Sequence, residues 1–222
     1  MGYGSVVFDM DGVILNFEGD GFKWKYDAVR DALSQEGVDG SDFSRGKLDA
    51  FIGDKGTERF IEICSNWELD PATTWDVIAE KTSLARMEMI KDGQFSLYPE
   101  VKEVLDRLRD KEIELGLISN APEKAVEVTV DHYKLRDHFK FFRGITSFED
   151  SVARKPHPDH LVFAKAELKR PDYLYAGDAE SDLIAARDAG MASVWVNRNG
   201  ASLDVRPDYE IKELSDLIGL IK

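Results

Sequence analysis

The sequence predicts an α/β protein: a parallel sheet with an all-helical segment inserted after its first strand. Three observations predict it. Ser5 to Phe8 is a short apolar run without alternation, as strands buried on both faces are. From about residue 94 onward, apolar runs alternate with amphipathic stretches, the pattern of βαβ units with right-handed crossovers. Between these regions, residues 17–93 contain no convincing strand and read as successive helices. The expected division is a core of residues 1–16 and 94–222, with residues 17–93 as the helical insert.

The first helix runs from near Asp20 to Glu36 and stops at Gly37. Ser41 is the expected N-cap of the second. The third follows Gly56-Thr57, with Phe60, Ile61 and Trp67 as its apolar members. The fourth opens at Asp70-Pro71, a cap followed by proline at the first helical position, and ends at Lys91-Asp92-Gly93. After Tyr98-Pro99, the spacing of Val101, Val104, Leu105 and Leu108 predicts an amphipathic helix. Strands are then expected over 113–118, 139–145, 173–176 and 192–196, and helices over 122–133, 159–168 and 180–189.

Composition narrows the function. The 222 residues are 43% hydrophobic and 32% charged, a globular profile. No apolar run approaches the ~18 residues of a membrane span, and the stretch from Val6 to Leu15 is broken by Asp9 and Asp11, unlike a signal peptide. With 29 basic against 43 acidic residues, net charge −14, a phosphate-neutralising nucleic-acid binder is disfavoured. One cysteine, Cys64, forms no internal disulfide, which fits a cytoplasmic location. It is expected to pack in the insert as a small apolar residue. His132, His138, His157 and His160 lack zinc-ligand spacing.

Four polar clusters follow expected strands, where open parallel sheets bind ligands. They are Asp9-Met10-Asp11-Gly12, Ser119-Asn120, Arg154-Lys155-Pro156, and Gly177-Asp178-Ala179-Glu180-Ser181-Asp182. Asp9, Asp11, Asp178 and Asp182 at one rim repel each other, and a hard divalent cation such as Mg²⁺ relieves this with oxygen ligands. A cation, a lysine and a hydroxyl around a carboxylate suit phosphoryl transfer. Asp9 is then the nucleophile that forms an aspartyl phosphate. Asp11, two residues on, is the general acid and base, and its crowded carboxyl is expected to have a raised pKa.

Together these clusters resemble the four motifs of the haloacid dehalogenase-like superfamily, over essentially the whole chain. Phe8-Asp9-Met10-Asp11-Gly12-Val13 is similar to the first motif, Ile118-Ser119-Asn120 to the second and Lys155-Pro156 to the third. Residues 177–182 are similar to the fourth. The resemblance implies a Rossmann-like core with a helical cap of the first subclass. It implies Mg²⁺ held by the Asp9 side chain, the Asp11 backbone carbonyl and Asp178, with Asp182 supporting the metal's water shell or Lys155. Ser119 and Lys155, with the backbone amides of Met10 and Asn120, would hold the phosphoryl group.

An aspartate at position 11 implies phosphoryl transfer, since the superfamily's dehalogenases do not use one there. In similar proteins a cap loop near residues 51–56 faces the leaving group, which makes Lys55 and Arg59 candidate substrate contacts. The expected activity is hydrolysis of a small phosphorylated metabolite, closest to phosphoglycolate phosphatases and next to sugar phosphatases, by a monomer or homodimer. The alternatives are a β-phosphoglucomutase-like phosphotransferase and a non-catalytic binding protein on the same fold.

Overall fold

The computed structural model describes residues 2–19, 23–52 and 57–221, with the backbone alone at Ile52. In chain order the elements begin with β1 (Ser5–Phe8), β2 (Leu15–Phe17), α1 (Lys23–Gln35), α2 (Arg45–Ile52), α3 (Thr57–Asn66) and α4 (Pro71–Lys91). Then come β3 (Phe95–Leu97), α5 (Val101–Asp110), β4 (Glu114–Pro122), α6 (Glu123–His132) and β5 (Phe141–Ile145). The chain ends with α7 (Asp159–Glu167), β6 (Tyr173–Gly177), α8 (Glu180–Asp188), β7 (Ala192–Val196) and β8 (Tyr209–Ile211).

Six strands form one sheet in the order β5-β4-β1-β6-β7-β8. Every pairing in it is parallel. Val6 lies opposite Leu115 on one side and Leu174 on the other, so β1 is central and all its residues are buried. The two-residue period sends alternate side chains to opposite layers. Val6, Phe8, Leu174 and Ala176 join the cluster packed by α5 and α6. Val7 and Tyr175 join the cluster packed by α7 and α8. The expected stripe of α5 is fully used: Val101, Val104, Leu105 and Leu108 are all buried.

The chain leaves β1 for β4 and β5 on one side, then returns to build β6, β7 and β8 on the other. The direction of winding therefore switches beside β1, and the carboxyl ends of β1, β4 and β6 meet at one rim.

Helices α1 to α4 lie between β2 and β3, an antiparallel pair in which Leu15 faces Leu97. Neither three-residue strand was expected, because each is too short to show a period; β8 escapes for the same reason. The four helices bury a common cluster that includes Val29, Leu33, Leu48, Ile63 and Ile78, with Cys64 packed inside it. Asp70 caps α4 as expected, accepting from the Thr73 amide at 2.9 Å, with Pro71 behind it. The expected cap at Ser41 is corrected. Asp39 lies two residues earlier and accepts from the Ser41 amide, closing a short 3₁₀ turn at Gly40–Asp42, and α2 starts only at Arg45. Among the described residues, no helix is long and apolar enough to cross a membrane.

Candidate active site

Asp9 follows the last residue of β1, and its amide donates to the Ala176 carbonyl of neighbouring β6 at 2.9 Å. The chain then turns tightly, with the Ile14 and Leu15 amides both returning to the Met10 carbonyl. Gly12 makes this turn with φ of +79°, and a Cβ there would lie 2.1 Å from Asp178 Oδ2. Only glycine combines that backbone with that approach. Gly177 is needed similarly: a Cβ would meet Asp182 Cβ at 2.3 Å. Both glycines let the loops after β1 and β6 bring carboxylates together.

Lys155 is the hub of the site. Its ammonium is buried and uses its three donors on Asp9 Oδ1 at 2.6 Å, Asp182 Oδ1 at 2.6 Å and the Tyr175 hydroxyl at 2.7 Å. Burial acts to discharge it, but the adjacent Asp182 and Asp9 outweigh that and hold the ammonium well above the usual lysine value. Asp182 also accepts from the backbone amides of Asp178 and Ala179 at 3.1 and 3.0 Å. It therefore fixes both Lys155 and the turn after β6.

Two links hold the Lys155 backbone. The Asn120 side-chain amide pairs with it in both directions, donating to its carbonyl and accepting from its N–H, each at 2.9 Å. The Lys155-Pro156 peptide is cis. The Asn120 side chain thus ties the end of β4 to the loop before α7, and Ser119 beside it is buried at the cleft.

Asp9, Asp178 and Asp182 each offer an oxygen within 4.8 Å of the others. Burial pushes the Asp9 carboxyl well above the usual range; Lys155 opposes this, and Asp182 and Asp178 add to it. Asp178 is exposed at the cleft. Its carboxyl is pushed up to about 7, by the surrounding protein's desolvation first and then by the charge of Asp182. An all-oxygen donor set with excess negative charge fits a hard divalent cation. Trp195 steadies this edge by donating to the Asp178 carbonyl at 3.1 Å.

Asp11 departs from expectation. Its side chain turns toward α4, where Arg86 grips both oxygens at 2.7 Å. Burial alone would raise the carboxyl, but the Arg86 charge and its two hydrogen bonds overcome that and bring it to about 2. The crowding expected to raise Asp11 is thus replaced by a cation that the sequence reading missed. Arg86 itself is 1% exposed, and its guanidinium lies over the Phe95 and Trp24 rings at 4.9 and 5.5 Å. Trp24 therefore sits beside the site, at the cleft.

Arg198, also missed, locks the turn after β1. It donates to the carbonyls of Gly12 and Val13, pairs with Glu100 at 2.8 Å and lies 3.5 Å over the Tyr98 ring. Nothing in the sequence marks it, since it follows β7, the one expected strand with no motif. Tyr175 likewise reads as an ordinary strand residue, although its hydroxyl completes the Lys155 hub.

Lys55 lies outside the described residues. Arg59 is exposed and pairs with Glu62 on its own helix at 2.5 Å; it is absent from the cleft lining.

Behind Lys155, the loop after β5 is organised by Asp150. This carboxylate accepts from the Thr146 amide and hydroxyl, from Arg143 at 3.0 Å and from His160 at 2.9 Å. Burial opposes ionisation, but the Thr146 and His160 contacts prevail and hold the carboxyl at about 2. A carboxyl depressed in the folded state stabilises fully above its unfolded value near 3.8, and that stability is lost as pH falls toward 2. Asp150→Asn is therefore expected to cost about 2 kcal/mol at pH 7. The difference from the unaltered protein should vanish between pH 4 and pH 2 in urea unfolding curves.

A cleft of about 540 Å³ lies between this rim and the helices, lined by Asp9, Asp11, Ser119, Lys155, Asp178 and Asp182 on the sheet side. Four loops converging at a switch point, with a buried lysine between carboxylates, form a distinctive arrangement that comparison with known proteins places. A candidate pyrophosphatase, PpaX, of Caldanaerobacter subterraneus is 30% identical over 154 residues, which cover 67% of this chain and 68% of that protein. A phosphoglycolate phosphatase of Photorhabdus laumondii is 25% identical over 227 residues, covering 99% and 93%. The crystal structure of CbbY from Rhodobacter sphaeroides in complex with phosphate shares the fold, with a TM-score of 0.73, 20% identity and coverage of 98% and 99%. The sequence model of haloacid dehalogenase-like hydrolases matches residues 6–196, and with that match the chain belongs to this family.

Proposed function

We propose that this chain is a Mg²⁺-dependent phosphatase that hydrolyses a small phosphorylated substrate through an aspartyl phosphate on Asp9. The observation that carries the reading is the Lys155 hub, which holds one oxygen of a buried carboxylate at the meeting point of β1, β4 and β6. The kinship with proteins named as phosphatases supports it. Asp9, Asp178 and the Asp11 backbone carbonyl would hold Mg²⁺. When bound, the cation offsets the carboxylate repulsion and neutralises charge on the phosphoryl oxygens.

The chain's own residues do the rest. Lys155 grips Asp9 Oδ1, so Asp9 Oδ2 is the attacking atom. Ser119, Lys155 and the backbone amides of Met10 and Asn120 orient the phosphoryl group. As the phosphorus–oxygen bond to the leaving group breaks, Asp11 gives its proton to the departing oxygen. Asp11 then takes a proton from a water that attacks phosphorus, freeing Asp9 and inorganic phosphate. The Arg86 pair holds the carboxylate form of Asp11 seen here, the form the second step requires. For the first step Asp11 must detach from Arg86 and carry a proton. Residues 17–93 act in this reading as a cap over the core, with β2 and β3 as the connection.

The test is phosphate release from 2-phosphoglycolate, sugar phosphates, nucleoside monophosphates and pyrophosphate, with Mg²⁺ and with EDTA. Metal-dependent release from at least one of them is expected, and none from any would overturn the reading. Millimolar Mg²⁺ is also expected to raise Tm by a few degrees, because it binds the folded arrangement of Asp9 and Asp178 alone. An unchanged Tm would count against a formed metal site.

A further inference from the structure

Beyond the phosphate-holding groups, the cleft continues along one face of α4. Trp75, Ile78, Ala79, Thr82 and Arg86 all line it. They stand at i, i+3, i+4, i+7 and i+11, a single helical stripe. Its charge is confined to Arg86 at the β3 end, where the guanidinium is held by Asp11. Among the described residues of α2 and α3, those lining the cleft are Phe51, Thr57 and Phe60, none of them charged. The Phe51 and Phe60 rings lie 5.0 Å apart, and Phe60 meets Phe148 of the loop after β5 at 5.5 Å. The helices and the sheet thus touch through aromatic rings on this side.

Lys25 and Arg154 also line the cleft, but a leaving group laid along this stripe meets Ile78 and Ala79 and the Trp75 ring. A carboxylate set against Ile78 and Ala79 would lose water without gaining a hydrogen bond, which is costly. A flat ring there would bury apolar surface, which is favourable. The volume of about 540 Å³ falls within the roughly 300–1,000 Å³ of pockets that take drug-sized ligands, and so admits a ring besides a phosphate.

We propose that the substrate's leaving group is an alcohol carrying an aromatic ring that packs on the α4 stripe. The proposal rests on the phosphatase reading for the placement of the phosphate. It is tested separately from turnover with non-hydrolysable phosphonates. Calorimetric titration in Mg²⁺ would compare 2-phenylethylphosphonate with ethylphosphonate. The phenylethyl compound is expected to bind at least about 10-fold tighter than the ethyl one, or about 1.4 kcal/mol. In Ala79→Asp, which puts a charge on the half-buried stripe, that ratio should fall below about 3-fold. Thr82→Asp serves if the first variant does not fold.

Equal or weaker binding of the phenylethyl compound would overturn the proposal, as would no binding of either. Phosphate release from benzyl phosphate, read in parallel, separates the two ideas. Tight phenylethylphosphonate binding with no release from any ester would sink the phosphatase reading and leave the chamber assignment standing. Release from 2-phosphoglycolate with no ring preference in binding would do the reverse.

Discussion

Asp9→Asn is expected to lower phosphate release by on the order of 10⁴-fold or more, the scale of loss when a nucleophile has no substitute. The amide keeps the size of the carboxylate but cannot attack phosphorus. Neither neighbour can replace it. Asp182 is buried and committed to Lys155, Tyr175 and two backbone amides, while Asp11 faces Arg86. Folding should change little. Lys155 keeps Asp182 and Tyr175 as partners, and the site loses one of several repelling charges. Activity at saturating Mg²⁺ and urea unfolding, measured on the same preparation, check both halves. A variant that keeps the rate of the unaltered protein would remove Asp9 from the chemistry.

Lys155→Met is expected to destabilise the fold by about 3–5 kcal/mol, the cost of leaving buried charge without its partner. Asp9 and Asp182 are 7% and 2% exposed and both point at the vacated ammonium. The methionine fills the volume, so the loss is electrostatic. Its pH dependence follows from that. The Asp9 carboxyl is already raised by burial, and without Lys155 it rises further. A carboxyl raised in the folded state binds more protons there than in the unfolded chain, so the variant's stability increases as pH falls. Part of the deficit should therefore return between pH 7 and pH 5. Adding Asp182→Asn should recover part of it at pH 7, and a double-mutant cycle reads that coupling directly. Activity should fall with Lys155→Met as well, since Lys155 is what positions Asp9 Oδ1 in the hub.

Much of this site was legible because its residues sit at strand ends, and the strands announce themselves. Val6, Val7 and Phe8 form an uninterrupted apolar run, which a strand buried on both faces needs. Asp9, Ser119, Asp178 and Asp182 then follow from position in a parallel sheet, and Lys155 from its loop between strand and helix. What was not legible depends on contacts between distant segments. Arg86 lies in a 21-residue helix where an arginine ordinarily marks a solvated face, yet its partner is 75 residues earlier. Missing it reversed the expected shift of Asp11. Arg198 has no local signature, because its role is to hold carbonyls 185 and 186 residues away. The strands β2 and β3 have three residues each, too few for alternation to show, and they form by pairing with each other. At Ser41 a local rule chose the wrong serine, since α2 starts at Arg45 and the Ser44 hydroxyl just before it accepts from the Lys47 amide at 3.4 Å.

The most direct test of the account is to find where phosphorus goes during turnover. A Mg²⁺ reaction with a slow aryl phosphate, quenched in acid and digested, would be mapped by mass spectrometry in the Asp11→Asn variant, whose impaired base slows hydrolysis of the intermediate. The account predicts a phosphoryl group on Asp9, absent when EDTA replaces Mg²⁺ and absent in Asp9→Asn. Phosphate release with no modified Asp9, or with the label on another residue, would contradict it.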